Sequence, residues 1–302
     1  MTDDHALSGA LRASCPDLRL LCEEPLARHT SFRIGGAAQC FVQPRDAVQL
    51  AAVLKACRAL GVTPRVLGAG TNVLAPDEGV GGVVICTKDA LMGLSHTENT
   101  VRAMAGQTLA QAAVYARDLG LSGLEFAHGI PGTVGGGVYM NAGAYGGELA
   151  QVCRRVGVML PNGETAEFSG EELKFGYRTS VFETLDCIIL WAEFTLTPAE
   201  PDAIRARMQE LMQKRRASQP LDLPSAGSAF KRPKTGYAAQ MIDEANLRGY
   251  RRGGAAVSEK HAGFVVNLGG ATAQDVRDVL RDVQTAVLKR TGVRLEPEIR
   301  IW

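Results

Sequence analysis

The sequence has no excess of charge of either sign. Among its 302 residues, 33 are lysine or arginine and 32 are aspartate or glutamate, so the formal net charge at pH 7 is +1. A protein that binds nucleic acid or an anionic membrane through its overall field carries a basic excess that answers the negative charge of the partner. The composition therefore predicts neither a nucleic-acid partner nor a membrane partner.

Paired cysteines are also missing. Zinc sites and disulfide frameworks are recognised by an even number of cysteines at regular spacings or by a C-x-x-C pair. Here the number is odd, no two cysteines have that spacing, and they are scattered at positions 15, 22, 40, 57, 86, 153 and 187. We therefore expect no metal site, and we expect reduced thiols in a reducing compartment.

Long apolar runs are absent as well. No segment approaches the roughly 20 apolar residues that cross a bilayer. The first residues, MTDDHALSGALRAS, carry two acids where a signal peptide carries basic residues, and they lack a sustained apolar core. We expect a cytoplasmic protein. With 302 residues, 46% of them hydrophobic, the chain is long enough for two or three domains.

Local patterns predict both helices and strands, and therefore an α+β fold. Capping residues, glycine stops and apolar periodicity predict helices over 46–60, 108–120, 199–220 and 272–292. The last of these carries one apolar stripe formed by Val276, Val279, Leu280, Val283, Ala286 and Val287. Strands are predicted over 65–67, 81–89 and 100–106, in a hairpin of 154–160 with 164–169, over 187–198 ending at Pro198, and over 294–302. The composition changes at residue 199, which predicts a domain boundary there.

Two stretches have almost no side-chain bulk: GAGTNVL (68–74) and GIPGTVGGGVYMNAGAYGGE (129–148), the second with eight glycines. Bare backbone can approach a ligand closely, and its N–H groups can bind phosphate oxygens, here at a turn at Gly132 that leads into a short helix near Thr133. The alternative is tight turns and close packing between elements, which explains most short glycine runs. Neither stretch matches the P-loop or the G-x-G-x-x-G dinucleotide motif. A bound nucleotide would therefore lie in a different fold.

Six motifs occur in the order GAGTNVL, GIPGTVGGGVYMNAGAYG, GYRTSVF, AGSAFKRP, SEKHAGFVVN and LEPEIR. Together they resemble the UDP-N-acetylenolpyruvoylglucosamine reductase family, from about residue 29 to the C-terminus, in its shorter type without a tyrosine-loop insertion. The resemblance implies an α+β fold with a PCMH-type FAD-binding domain of two subdomains, 1–88 and 89–199. It also implies an α+β substrate-binding domain over 200–302.

The resemblance further implies FAD as cofactor and NADPH as co-substrate. The family's flavin contacts fall on SFRIGG, on both glycine stretches and on the C-terminal motif. In this sequence they are Arg33, Gly35, Gly68, Gly70, Thr71, Asn72, Gly132, Thr133, Gly135, Gly136, Asn141, Gly143 and Arg300.

The implied reaction converts UDP-N-acetylglucosamine enolpyruvate into UDP-N-acetylmuramate by way of the flavin. An enol ether resists hydride, so its carboxylate must accept charge and an acid must protonate the adjacent carbon. The motifs place Arg178 at the carboxylate and Ser228 as proton donor, with Glu298 as the catalytic carboxylate. From the residues alone, Arg178 could form a surface salt bridge and Ser228 could be a loop serine. Glu296 shares the predicted strand face with Glu298 and is its rival.

Four more polar residues are candidate contacts to the substrate diphosphate or carboxylate: Lys231, Arg232, Lys260 and His261. Lys231 is also a candidate to activate Ser228. Arg232 stands where some relatives have asparagine. The expected partners are small molecules, and the chain is expected to be a monomer. The rival functions are another FAD oxidase or dehydrogenase of the same fold, or a flavin-free nucleotide-sugar binding protein.

Overall fold

The computed structural model describes residues 4–302, which divide into two compact units. The first unit contains the chain up to Glu24, Gln39–Ala69 and Gly81–Lys214, and the second contains Pro25–Ala38, Gly70–Val80 and Arg215–Trp302. The predicted three-part division at residues 88 and 199 stays a prediction. Nothing in the local sequence pattern revealed that two short early segments group with the C-terminal third of the chain.

The chain contains both helices and runs of consecutive strands, in agreement with the predicted α+β fold. The helices are α1 (Asp4–Ser14), α2 (Ala47–Ala59), α3 (Leu109–Asp118), α4 (Val134–Tyr139), α5 (Pro201–Ser218), α6 (Ala238–Glu244) and α7 (Ala273–Thr291). The strands are β1 (Arg19–Pro25), β2 (Ala37–Gln43), β3 (Arg65–Leu67), β4 (Val73–Leu74), β5 (Val80–Cys86), β6 (Leu94–Thr97), β7 (Thr100–Met104), β8 (Leu121–Ser122), β9 (Gly143–Ala144), β10 (Gly147–Glu148), β11 (Cys153–Met159), β12 (Thr165–Ser169), β13 (Ile188–Thr195), β14 (Thr197–Pro198), β15 (Ser225–Ser228), β16 (Arg251–Arg252), β17 (Ala255–Val257), β18 (Phe264–Asn267) and β19 (Arg300–Ile301).

Three sheets of four or five strands carry the architecture. Their strand orders are β1-β2-β5-β3, β12-β11-β13-β7-β6 and β15-β18-β17-β16. The five-stranded sheet is antiparallel throughout, and it contains the predicted hairpin, in which Val156 lies opposite Phe168. In the second unit β19 pairs with β4 in parallel.

Three of the predicted helices begin at residues that form capping bonds. Asp46 accepts from the Gln49 N–H at the start of α2, and Thr108 forms a capping box at the start of α3. Thr272 does the same for α7, which ends at Gly292 with φ of +71°. On α7 the predicted stripe is buried except for the half-buried Ala286.

Each unit has its own apolar core. The first core includes Leu50 and Val53 of α2 with Phe194 of β13. The second contains Phe32, Leu74 and the buried residues of the α7 stripe. A fully buried side chain of this size contributes about 1.5–3 kcal/mol relative to an exposed one, so these clusters are what hold the sheets and helices together. Within residues 4–302, no helix is both long and apolar enough to cross a bilayer.

Two predicted strands need correction. The strand over 187–198 is β13 followed by the separate two-residue β14, which pairs with β8. The strand over 294–302 is wrong except at Arg300–Ile301. Pro297 cannot donate to a ladder, and the segment changes partners along its length. The Glu298 N–H donates to the Ala229 carbonyl, whereas the Arg300 N–H donates to the Asn72 carbonyl.

Candidate active site

The glycine-rich segment forms the predicted turn and short helix. Gly132 has a φ of +153°, and Thr133 is the N-cap of α4. The Thr133 hydroxyl, which is buried, accepts from the Gly136 N–H at 3.2 Å. The N–H groups of Val134 and Gly135 donate to the Gln107 and Ala105 carbonyls, so the first turn of α4 finds its partners within the protein.

The three consecutive glycines of α4 have different surroundings. A Cβ on Gly135 would lie 3.0 Å from the Ala105 Cβ, and one on Gly137 would lie 3.0 Å from the Leu109 side chain. Those two glycines therefore allow close packing inside the first unit. Gly136 is exposed, and a Cβ there would meet only the Thr133 hydroxyl, at 3.4 Å. Protein packing does not account for Gly136, and its bare surface fits the approach of a large cofactor.

Several other predicted cofactor glycines are explained by close packing. A Cβ on Gly68 would lie 2.5 Å from the Thr133 hydroxyl, and one on Gly70 would lie 2.1 Å from the His29 carbonyl. A Cβ on Gly143 would lie 2.7 Å from the Gly147 carbonyl, across the β9–β10 hairpin. Close packing within the protein is therefore sufficient to explain glycine at these three positions.

The SFRIGG segment is a tight turn in the second unit. Arg33 has a φ of +56° and Gly35 a φ of +131°. A Cβ on Gly35 would lie 2.6 Å from the Ala75 Cβ, so glycine is required there by geometry. Thr71 follows Gly70 directly, in the loop that leads into β4.

Arg178 lies at the tip of a tight turn in the first unit. Gly176 and Thr179 form an isolated antiparallel bridge, so Tyr177 and Arg178 occupy the two central positions. Arg178 has a φ of +56°, at a turn position that glycine or asparagine usually fills. Its half-buried guanidinium donates to the Gly143 carbonyl at 3.1 Å and lies 5.2 Å from the Tyr177 ring centroid. A planar fork of five donors suits a carboxylate.

Ser228 and Glu298 lie on adjacent backbone segments of the second unit. Ser228 ends β15, opposite Phe264, and is exposed. The next residue, Ala229, accepts from the Glu298 N–H at 2.9 Å. The Glu298 carbonyl in turn accepts from the Asn72 side-chain amide at 3.1 Å. The predicted proton donor and the predicted carboxylate are thus held side by side, and Asn72 fixes the backbone of Glu298, a contact that sequence reasoning missed.

Lys231 contacts the rival acid. Its ammonium lies 3.5 Å from the carboxylate of Glu296, whose side chain is 74% exposed. The backbone N–H of Lys231 also donates to the Glu296 carbonyl. Glu296 therefore forms a solvent-exposed ion pair, worth little to stability. Glu298 is half-buried, which makes it the better placed of the two acids for chemistry.

The remaining predicted substrate contacts have structural partners. The Lys260 ammonium donates to the Arg216 carbonyl at 2.6 Å, in the last turn of α5, where a cation is favoured. The His261 Nδ1 accepts from the Gly263 N–H, and burial lowers the pKa of this imidazole. Arg232 stacks on the exposed Tyr237, 4.3 Å from its ring centroid. Their substrate roles stay predictions.

Within the described part of the chain, no group of three or more His, Cys, Asp or Glu side chains is placed to hold a metal ion. All seven cysteines are free thiols, and five of them are buried.

Two family models match the chain. One, described as an FAD binding domain, matches residues 38–169, and the other, described as the C-terminal domain of UDP-N-acetylenolpyruvoylglucosamine reductase, matches residues 219–302. The UDP-N-acetylenolpyruvoylglucosamine reductase of Agathobacter rectalis is 44% identical over 298 residues, covering 95% of this chain and 95% of the relative. That of Syntrophomonas wolfei is 41% identical over 286 residues, covering 95% and 96%. The chain belongs to the UDP-N-acetylenolpyruvoylglucosamine reductase family.

Solved structures support this membership in the UDP-N-acetylenolpyruvoylglucosamine reductase family. The crystal structure of the Thermus caldophilus UDP-N-acetylenolpyruvylglucosamine reductase has a TM-score of 0.78 and 35% identity, covering 94% of this chain and 98% of that one. The glucose dehydrogenase Phl p 4.0202, at 14% identity and a TM-score of 0.51, shares the fold alone. The predicted α+β fold with an FAD-binding domain is confirmed. Ser228 and Glu298 fall inside the C-terminal domain model, and Arg178 lies between the two matched regions.

Proposed function

We propose that this protein reduces UDP-N-acetylglucosamine enolpyruvate to UDP-N-acetylmuramate with electrons from NADPH, in peptidoglycan precursor synthesis. As a family member it is an FAD-dependent oxidoreductase. The observation that carries the specific substrate is the match over about 95% of the chain to reductases with this activity in their names. The backbone hydrogen bond from Glu298 to Ala229, the residue after Ser228, gives the proposal a physical basis.

The open surface at Gly136 supports FAD binding beside α4. We propose that the bare backbone at Gly132 and Gly136 runs alongside the cofactor, next to the Thr133 hydroxyl that caps α4. Bound FAD supplies the hydride acceptor and donor that no amino-acid side chain provides. The other predicted contacts in the glycine stretches, except the fully buried Asn141, are proposed to surround it together with Arg33, Thr71 and Arg300.

The side chains of this protein have two tasks during reduction of the enol ether. Negative charge grows on the substrate carboxylate as the methylene carbon of the enolpyruvyl group gains hydride. The Arg178 guanidinium is proposed to stabilise that charge. Ser228 Oγ is proposed to give its proton to the adjacent carbon. Glu298 is proposed to hold or protonate the substrate carboxylate.

The substrate's diphosphate is the proposed ligand of cationic and polar side chains in the second unit. The proposed contacts are Lys231, Arg232, Lys260 and His261, and each of them also has a partner within the protein. We propose that the protein works as a monomer in the cytoplasm, where NADPH is available.

An anaerobic flavin titration tests the proposed function. The purified protein should be yellow, NADPH should bleach it, and UDP-N-acetylglucosamine enolpyruvate should then restore the colour without oxygen. An oxidase of the same fold would instead regain its colour rapidly in air and would not be bleached by NADPH. A colourless protein that gains no flavin on reconstitution would be a nucleotide-sugar binding protein.

A further inference from the structure

The turn that carries Arg178 is fastened to the C-terminal end of α4 by two buried polar side chains. The Asn141 Nδ2 donates to the Gly176 carbonyl at 2.9 Å. The Ser180 hydroxyl donates to the Tyr139 carbonyl at 2.8 Å. Asn141 is 0% exposed and Ser180 is 4% exposed. Two bonds of this kind on either side of a four-residue turn fix both of its ends.

Asn141 also holds a third segment. Its Oδ1 accepts from the Ala150 N–H at 2.8 Å, and its own backbone has a φ of +42°, which asparagine tolerates better than most residues. The amide thus uses both its oxygen and its nitrogen inside the first unit. A side chain with no accessible surface has none to offer to a cofactor.

The fastened turn has a conformation that needs support. Arg178 has a φ of +56°, and for a residue with a Cβ the left-handed region costs about 1–2 kcal/mol. Such conformations persist only where the surrounding structure holds them, and they cluster at functional sites. At the tip of this turn the guanidinium donates to the Gly143 carbonyl, so any loosening of the turn would move the charged group.

We propose that Asn141 and Ser180 are positioning residues that aim Arg178 at the substrate carboxylate. This inference rests on the proposed function. It gives Asn141, which the motif comparison places among the flavin contacts, a role in the substrate half-reaction. The same helix that offers Gly136 at its start holds the Arg178 turn at its end, so α4 sets both groups in one rigid piece of the first unit.

The test uses the holoenzyme and Asn141→Asp, which keeps the acceptor for Ala150 and replaces the donor to Gly176. A misplacement of about 1 Å can cost a rate as much as 100-fold. We therefore expect anaerobic reoxidation by the enolpyruvyl substrate to slow about 10- to 100-fold. FAD content and the rate of flavin reduction by NADPH should not change. Ser180→Ala should also slow reoxidation, by a smaller factor, and should leave FAD content and reduction by NADPH unchanged. Asn162→Asp, on the exposed β11–β12 turn, is the matched control.

The pH dependence gives a signature that general structural damage would not. When protonated, the carboxyl group introduced by Asn141→Asp can donate to the Gly176 carbonyl again, and burial raises the pKa of a carboxyl group. The reoxidation rate of Asn141→Asp, divided by that of the unchanged protein, should therefore rise as the pH falls. A flat ratio would argue against the lost bond as the cause.

An Arg178→Ala background decides whether Asn141 acts through Arg178. There, Asn141→Asp should slow single-turnover reoxidation little further, because the group that it positions is gone. An equal slowing in both backgrounds, or a loss of FAD or of NADPH-driven reduction in Asn141→Asp, would overturn the proposal. If the proposed function were wrong, the unchanged holoenzyme itself would not be reoxidised by the enolpyruvyl substrate, which is a different outcome.

Discussion

Gly136 is the residue at which cofactor binding and helix stability oppose each other. It lies inside α4 and is exposed, and a Cβ there meets no backbone. Alanine in a helix is favoured over glycine by about 1 kcal/mol. We expect Gly136→Ala to raise the free energy of unfolding of the FAD-free protein by up to about 1 kcal/mol and to weaken FAD binding. Urea unfolding and a flavin fluorescence titration measure the two quantities.

Gly135→Ala is the matched comparison for that prediction. Its Cβ would crowd Ala105 at 3.0 Å, so this variant should lose stability. Unchanged FAD affinity in Gly136→Ala would show that the exposed face of α4 does not receive the cofactor.

The two glutamates of the C-terminal motif offer a second residue-scale test. Glu298 is half-buried, with its backbone held by Ala229 and Asn72, whereas Glu296 forms an exposed pair with Lys231. We expect Glu298→Gln to lower kcat at least about 100-fold, as loss of a positioned acid or base does. Glu296→Gln should leave kcat nearly unchanged. Steady-state kinetics on both variants measures this, and equal losses would undo the assignment of Glu298.

At the scale of elements, α7 depends on acids at its N-terminal end. Asp77 accepts from the N–H groups of Ala273 and Gln274, at 2.7 and 3.1 Å. Asp275 accepts from the Thr272 and Gly254 N–H groups. The backbone bond from Thr272 is the main reason that the pKa of Asp275 lies below its ordinary value of 3.8. The bonds from Thr272, Ala273 and Gln274 satisfy donors that a helix start leaves without partners.

The lowered pKa predicts how α7 contributes to acid stability. A carboxylate with a depressed folded-state pKa stabilises the fold above its unfolded pKa, and that contribution is lost as the pH falls through the folded value. Between about pH 7 and pH 3 the free energy of unfolding should therefore fall less in Asp275→Asn, which has no carboxylate there to protonate. Urea unfolding at several pH values measures the difference. An identical decrease in both proteins would show that Asp275 does not contribute.

Elements with local signals were predictable from the sequence, and those with distant partners were not. The caps at Asp46, Thr108 and Thr272 are local, and the helices that follow them begin where predicted. The prediction of a C-terminal strand was wrong over most of its length, because an alternating pattern does not indicate which segment the strand would pair with. Only β19 finds a ladder, with β4, more than 200 residues away in the sequence.

At the scale of the whole molecule, the motifs identified the residues of the candidate site but did not predict the contacts that hold them in place. Motif order placed Ser228 and Glu298 in one site, yet their shared neighbour Ala229 and the Asn72 bond are long-range contacts that no local rule contains. The assignment of Lys231 to Ser228 came from sequence proximity. In the fold, the ammonium pairs with Glu296, 65 positions later.

The cysteines allow a test of the molecule as a whole. Cys22 is exposed on β1, while burial raises the pKa of Cys57, Cys86 and Cys187 to about 11 and that of Cys153 to about 12. The thiolate is the reactive form. At pH 8 a pKa of 11 leaves about one thiol in 1,000 ionised, against about a quarter at an ordinary value of roughly 8.5.

We therefore expect one thiol to react rapidly with Ellman's reagent in the native protein and all seven to react after unfolding. Cys22→Ser should abolish the rapid phase, because Cys15 and Cys40, like most of the others, are buried. Cys187 is only half-buried, so we expect its slow reaction to result from its raised pKa. Its reaction rate should therefore increase with pH, whereas steric protection alone would make the rate less dependent on pH. A second rapid thiol at pH 8 would mean that one of these cysteines is less enclosed than the fold requires.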